Sequence, residues 1–283
     1  MSDCVNRLAV TILSDNLVAA GGGVLAEHGL CLHIEADGQG LLFDTGESGV
    51  CLGNAARLGI DLARASTVVL SHGHYDHTGG LPLLLQAFGP REVVAHRGIF
   101  APKYARARAA RPRPIGNPYG PEKLLRHGAV LRLLDEAQEL LPGVLTSGPI
   151  ERTTDFESIP DTFAVKAGTR MRKDMFVEEL ALIARTRQGL VVIVGCSHRG
   201  VVNAVRHAVK LTGEDRLHAV IGGTHLAPAS GDQLERTIEE LRALRPRLVA
   251  ACHCTGFRAA ARLCAAFGDA FSPGGVGYRF VCK

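Results

Sequence analysis

The sequence predicts a layered α/β protein in which helices cover β-sheets on their outer sides. Three observations predict this fold class. Short aliphatic and β-branched runs alternate with stretches of helical periodicity. Hydrophobic residues make up 46% of the 283 residues, enough to bury a sizeable core. Several apolar runs end in glycine-containing polar tips, which is typical of strands that deliver residues to a site. We expect one domain spanning residues 1–283.

The first half of the chain reads mainly as strands. A hairpin-like Ala36-Asp37-Gly38-Gln39 joins two of them. The predicted strands lie at residues 8–13, 29–35, 40–43, 67–70, 91–95, 130–134 and 139–145. Helices are predicted at residues 51–58 and 81–88.

The composition changes in a basic, proline-rich insertion at residues 97–126. Two interpretations stay open here: a solvated basic loop, or a cap that helps to bind an anionic substrate. Its cationic and proline residues are Arg106, Arg108, Arg111, Arg113, Lys123, Arg126, Pro112, Pro114, Pro118 and Pro121.

The second half repeats strand, polar tip and helix. It opens with a predicted hairpin around Gln188-Gly189, after a stretch at residues 153–172 without clear periodicity. The predicted strands lie at residues 180–185, 190–194, 217–221, 248–251 and 276–281. The predicted helices lie at residues 201–210, 232–244 and 257–267.

The densest group of candidate ligands follows the predicted strand at residues 67–70. His72, His74, Asp76 and His77 fall within six positions of the segment SHGHYDHTGG. Imidazole and carboxylate donors suit zinc, iron or manganese. On an extended backbone His72 and His74 point the same way. Asp76 and His77 lie in the following turn, which can aim them at a neighbouring position, so we expect two metals sharing one site. Surface histidines in a polar loop are the weaker alternative.

Three later histidines are also candidate ligands. His198, His225 and His253 each follow an apolar strand and lie beside glycine or another small residue. Residues from distant strands that converge at one sheet edge build the sites of α/β enzymes. The remaining histidines are interpreted as surface or core residues: His28, His33, His96, His127, His207 and His218.

Composition and charge argue against several classes of protein. A net charge of +4 suits an anionic small molecule and is far from a nucleic-acid-binding composition. No run reaches the roughly 18 apolar residues of a membrane span, and the first seven residues do not resemble a signal peptide. The eight cysteines form no C-x-x-C pair, and several are interpreted as small buried hydrophobic residues. We therefore expect a cytoplasmic protein with neither nucleic acid nor membrane as a partner.

The order of these motifs resembles the metallo-β-lactamase superfamily over nearly the whole chain. That resemblance implies a four-layer αββα sandwich with its site in the cleft between the sheets. A narrower resemblance, to the branch named for an archaeal dihydropterin-forming synthase, is carried by SDN at 14–16, FDTG at 43–46, SHGHYDHTGGL at 71–81, GCSH at 195–198, GGTHL at 222–226 and HCTG at 253–256.

The resemblance also implies a distribution of ligands. His72, His74 and His198 would hold one divalent metal ion. Asp76, His77 and His253 would hold a second, with zinc favoured over iron or manganese. Many members place a bridging aspartate where this chain offers His225, so His225 would bind metal, contact substrate or support the ligands. Asp44 would orient a ligand imidazole. A turn-capping role is the alternative for Asp44.

The function predicted first is metal-dependent hydrolysis of a small anionic, phosphorylated substrate, with Asp76 and His225 as catalytic residues. Cationic residues of the 97–126 insertion, or Lys166, Arg170 and Arg172, would hold the substrate. One alternative is the branch's transferase chemistry, which joins a pterin to an aminobenzene ribotide, with Asp15, Asn16 and Glu178 at the ring. Another is a metal-containing protein that binds a ligand without turnover.

Overall fold

The computed structural model describes residues 4–106 and 111–283. Arg108, one of the cationic residues assigned to the basic insertion, lies outside these ranges. Its strands, in chain order, are β1 Leu8–Ser14, β2 Cys31–Ala36, β3 Gln39–Phe43, β4 Ala65–Val69, β5 Arg91–His96, β6 Lys103–Ala105, β7 Arg113–Pro114, β8 Ala129–Leu134, β9 Glu139–Leu141, β10 Val144–Thr146, β11 Phe163–Ala167, β12 Arg170–Lys173, β13 Leu182–Thr186, β14 Gly189–Val194, β15 Leu217–Gly223, β16 Leu248–Cys252, β17 Phe271–Pro273 and β18 Arg279–Cys282. Its helices are α1 Val50–Arg57, α2 Tyr75–Thr78, α3 Leu81–Phe88, α4 Pro121–Arg126, α5 Val201–Thr212, α6 Gly231–Ala243 and α7 Phe257–Phe267.

Two seven-stranded sheets form the body of the protein. One has the order β18-β1-β2-β3-β4-β5-β8, and the other has the order β17-β16-β15-β14-β13-β10-β9. Each sheet is antiparallel on one side and parallel on the other: β3, β4, β5 and β8 are parallel in the first, and β14 to β17 in the second. In a parallel array all carboxyl ends meet at one edge, which is where such sheets carry their sites.

Successive side chains along each strand point to opposite faces of the sheet, so the hydrophobic core has three parts. One lies between the two sheets and one lies on the outer side of each sheet. Leu41 and Phe43 of β3 pack between the two sheets, against Ile193 of β14 among others. Leu42 points the other way, into a cluster with α1, α3 and α4. Val192 of β14 likewise faces the outer cluster under α5, α6 and α7. The layers are therefore helix, sheet, sheet and helix, which confirms the predicted αββα sandwich.

A smaller third sheet covers one end of the sandwich. Its order is β12-β11-β6-β7, so it joins the basic insertion to the stretch for which no element was predicted. Within the insertion the chain forms β6, β7 and α4; β7 and most of α4 are exposed to solvent, whereas Lys103 of β6 is buried. Propensity did not reveal these strands because β7 and β12 are short, exposed and mostly cationic.

Other corrections concern element boundaries. The strand predicted at residues 139–145 is a hairpin, β9 and β10, which turns at Gly143 with φ +77°. The closing strand begins at Arg279 and not at residue 276, and β17 was missed. No helix in the described ranges is long and apolar enough to cross a membrane.

Candidate metal centre

Five parallel strand ends converge on one cleft. β3 ends at Phe43, directly before Asp44, and β4 leads into the histidine cluster, while β14, β15 and β16 lead to the three later histidines. The two sheets meet closely here: a Cβ on Gly195 would lie 2.2 Å from Ser71 Oγ. Asp44, Ser197, His225 and His253 all have positive φ angles, between 49° and 60°. Non-glycine residues persist in that region where the surrounding structure holds them, often at functional sites.

His72, His74 and His198 form the first donor group. Their ligand atoms lie within 4.8 Å of one another, and His72 Nε2 is 3.1 Å from His74 Nδ1. All three residues are buried. Burial lowers the pKa of each imidazole well below its usual value, and the neighbouring histidines lower it further. The group therefore presents neutral imidazoles, the form that binds metals.

Asp76, His77 and His253 form the second donor group. His77 Nε2 lies 3.2 Å from His253 Nε2, which is 3.4 Å from Asp76 Oδ2. Burial would raise the pKa of Asp76, but the neighbouring His77 and His253 imidazoles hold it well below its usual range. Burial would likewise lower the pKa of His253, yet the contact with Asp76 raises it to about 9. The carboxylate thus draws a positive charge to this position.

Asp44 orients one histidine in each donor group. Its Oδ2 accepts from His77 Nδ1 at 2.7 Å and from Ser71 Oγ at 2.7 Å. Because the single Ser71 hydroxyl proton is donated to Asp44, Ser71 Oγ accepts from His72 Nδ1 at 2.9 Å. In the neutral rings these bonds place the proton on Nδ1 of His72 and of His77, so each Nε2 atom is available to bind a metal. This carboxylate-to-histidine arrangement is how metal ligands are positioned.

The ring nitrogens of the remaining candidate ligands have few hydrogen bonds to the protein. Asn16 Oδ1 lies 3.0 Å from His253 Nδ1, so it fixes the ring that faces Asp76. Within the described chain, His74 Nε2 and both ring nitrogens of His198 and His225 are buried without a hydrogen-bond partner. Unpartnered buried nitrogens beside a carboxylate are costly unless a cation pairs with them. The donor set therefore fits divalent metal ions.

Asp44→Asn should weaken both donor groups. The amide cannot replace a carboxylate that accepts from Ser71 and His77 together, so we expect metal retention and turnover to fall roughly 10- to 100-fold. The measurement is metal content after dialysis against a weak chelator, with turnover in parallel. Asp61→Asn, at an exposed turn far from the cleft, is the control. Full metal retention in Asp44→Asn would contradict the orienting role.

The other predicted residues lie in different places. Asp15 is buried beside His253, and burial raises the pKa of its carboxyl group. Glu178 lies in a buried ion pair with Lys103, 2.6 Å away, and is not among the residues lining the cleft. Arg170 is exposed on β12 and does not line the cleft either. His225 does line it.

The cleft also contains residues that the sequence patterns did not single out. Cys196 and Cys254 line it, and so do His28 and Phe163. The position of the cysteines resembles that of the histidines, because each stands two positions after the last residue of a strand and within two positions of a candidate ligand. Phe176, buried in an irregular segment, stacks on His198 with ring centroids 3.9 Å apart. No periodicity marked it.

Fold and site together define a class: a four-layer αββα protein with a histidine-rich centre suited to metal at the cleft between its sheets. The family model for the metallo-beta-lactamase superfamily matches residues 26–150. A 7,8-dihydropterin-6-methyl-4-(beta-D-ribofuranosyl)-aminobenzene-5'-phosphate synthase of Methanocaldococcus jannaschii is 30% identical over 264 residues, covering 90% of each chain. The chain belongs to the metallo-β-lactamase superfamily, and this relative confirms the narrower resemblance that its motifs predict.

Other relatives agree with this assignment. An uncharacterised protein of the same archaeon is 31% identical over 255 residues, covering 90% of this chain and 93% of its own. The crystal structure of Tm1679, a metal-dependent hydrolase of the β-lactamase superfamily, has a TM-score of 0.82 at 31% identity, covering 96% of this chain and 98% of that one. Zinc-bound PqqB from Methylobacterium extorquens is similar in fold alone, with a TM-score of 0.57 at 12% identity, covering 96% and 99%.

Proposed function

We propose that this protein is a metal-dependent hydrolase that acts on a small anionic, phosphorylated substrate. The observation that carries the proposal is the pair of donor groups, His72/His74/His198 and Asp76/His77/His253. His74, Asp76, His198 and His253 line one cleft, and His72 and His77 lie 3.1 and 3.2 Å from His74 and His253. These residues would hold a divalent ion, which would supply Lewis acidity and lower the pKa of a water in the cleft to about 7.

Two residues of the cleft would act on the reactants directly. Asp76 is ionised and lines the cleft, so its carboxylate accepts a hydrogen bond from the attacking water and orients it. His225 offers ring nitrogens without a protein partner in the described chain, so it can donate a proton to the leaving group. Phe163 and Phe176 cover the histidines and limit access of bulk water.

The size of the cleft favours a small reacting group. Its volume is about 200 Å³, below the roughly 300 Å³ at which pockets for drug-sized ligands begin. Arg113, from the basic insertion, lines it and lies over the Tyr75 ring. A guanidinium at the mouth of a small cleft suits a phosphate group, which it can bind through two hydrogen bonds.

Arg113→Gln should weaken substrate binding selectively. Loss of a charge-assisted contact costs about 1.5–3 kcal/mol, so we expect KM to rise roughly 10- to 100-fold with kcat little changed. Steady-state kinetics against an anionic substrate are the measurement, with Arg126→Gln of the same insertion, exposed on α4, as the control. An equal rise in KM for both variants would remove Arg113 from the binding site.

The hydrolase proposal is tested by elemental analysis of protein purified without added metal, followed by a substrate screen. The screen covers phosphodiesters, phosphomonoesters, thioesters and lactams. At least two equivalents of bound metal with hydrolysis of a phosphate ester would support the proposal. Bound metal without hydrolysis of any of these classes would count against it.

A transferase that joins a pterin to an aminobenzene ribotide is the second candidate. It is supported by the synthase relative and by a second cavity, of about 490 Å³, next to the cleft. That cavity shares Tyr75 with the cleft and also contains Tyr104 and Tyr119, which suit a planar ring. Mass spectrometry after incubation with a pterin diphosphate and the aminobenzene ribotide is the test. Absence of a condensed product, with tight ligand retention, would favour a binding protein instead.

A further inference from the structure

Two thiols and one imidazole lie together in the cleft, outside the two donor groups already described. Cys196 follows β14, His225 follows β15, and Cys254 follows β16, so three neighbouring parallel strands each supply one side chain. Their ligand atoms lie within 4.8 Å of one another. All three residues line the cleft, so an ion can reach them from solvent.

The backbone holds these side chains together. The His225 N–H donates to Cys254 Sγ at 3.2 Å, and Cys254 Sγ donates to the Cys196 carbonyl oxygen at 3.4 Å. A Cβ on Gly223 would lie 2.8 Å from Cys254 Sγ, so only glycine lets β15 approach that sulfur without a shift. The cluster is thus built by three strand ends and does not depend on a mobile side chain.

The imidazole of this cluster forms no hydrogen bond through its ring within the described chain. Both ring nitrogens of His225 are buried and have no hydrogen-bond partner. The ring lies 4.1 Å from that of His198 and 5.6 Å from that of Phe163, which limits its rotation. An unpartnered imidazole beside two thiols is a donor set for a cation.

We propose that Cys196, His225 and Cys254 form a third cation site, selective for thiophilic divalent ions such as cadmium and zinc. The first two donor groups offer only nitrogen and oxygen, which also suit manganese and iron, whereas two sulfurs and one nitrogen favour softer ions. On binding, each thiol gives up its proton to solvent. When this site is filled, His225 is a ligand and no longer a proton donor in the cleft.

A competing arrangement sets the requirements of the test. Cys196 Sγ also lies 3.2 Å from His77 Nε2, and its sulfur lies within 4.8 Å of the donor atoms of both His72 and His77. Cys196 alone could therefore add one sulfur to the first two groups. The test must separate one sulfur ligand from two, and Cys254 is the residue that distinguishes them.

The experiment is a cadmium titration of the reduced, metal-free full-length protein. Near-ultraviolet sulfur-to-cadmium absorption is followed, and bound cadmium is counted by mass spectrometry after gel filtration. We expect Cys254→Ser to bind about one equivalent less than the wild type and to lose most of the absorption. Cys264→Ser, which changes an exposed thiol on α7, is the matched control and should behave as the wild type.

Two further measurements distinguish loss of the cation site from misfolding of a variant. Circular dichroism checks the fold of each variant, and cadmium-113 NMR of the wild type alone reports whether one signal has the downfield shift of a two-sulfur site. The proposal is overturned if the wild type shows no such signal. It is also overturned if the absorption and stoichiometry survive in a folded Cys254→Ser protein, because the sulfur ligand is then Cys196 in the competing arrangement.

Discussion

We expect the double substitution His72→Ala/His74→Ala to abolish turnover and to remove the metal ion of the first donor group. Alanine leaves His198 as the single ligand of that group, and one imidazole cannot hold a divalent ion against solvent. The loss should therefore exceed the roughly 10- to 100-fold effect of removing an outer hydrogen-bond partner such as Asp44. Metal content and kcat/KM are measured on the same preparation.

The control for this variant is His127→Ala. His127 is exposed at the end of α4 and does not line the cleft, so the substitution removes one imidazole without changing the donor groups. Its metal content and turnover should equal those of the wild type. Turnover retained in the double variant, with a folded protein by circular dichroism, would show that the reaction does not use the first group.

The position of the donor groups could be predicted from sequence because a simple rule generates it. Ligands placed just after apolar strands of a parallel array must meet at one edge, and His198, His225 and His253 each satisfied that rule. The division of six residues into two groups came from the family resemblance, and the donor atoms of each set of three lie within 4.8 Å of one another. The assignment of roles to these residues stays a prediction.

The contributions of other residues could not be predicted, for physical reasons that differ. Cys196 and Cys254 follow the same strand-end rule. They were not predicted as site residues, because a cysteine in an apolar sequence is usually a small buried hydrophobic residue. The β11–β12 hairpin lacks alternation because its outer strand carries Arg170 and Arg172 on an exposed edge. Lys103 lies in a basic, proline-rich segment that is typical of solvated loops.

Lys103 is in fact almost completely buried, and its environment explains why. Its ammonium group forms ion pairs with Asp174 and Glu178, whose side chains are 5% and 2% exposed. It also lies 4.5 Å from the centre of the Phe176 ring. The basic insertion therefore contributes a buried cation as well as a cationic surface. The ion pairs of Lys103 also join β6 of the third sheet to residues 174–178, which include Phe176.

Lys103→Met should lower the free energy of unfolding by about 3–5 kcal/mol, because it leaves two buried carboxylates without their cation. Urea unfolding followed by circular dichroism measures the change. Lys210→Met is the matched control, since Lys210 forms an exposed pair with Glu151 at 2.6 Å, and such pairs contribute little to stability. Equal unfolding curves for the two variants would show that burial does not make Lys103 special.

The same substitution should also reach the metal centre. Asp174 Oδ1 accepts from the Phe176 N–H at 2.9 Å, and the Phe176 ring lies at 9° to His198. If the ion pair holds Phe176 in place, its loss lets the His198 ring turn away from His72 and His74, so metal affinity falls together with stability. A Lys103→Met protein could instead be less stable but keep wild-type metal affinity. That result would show that Lys103 contributes to stability only and does not position the histidines.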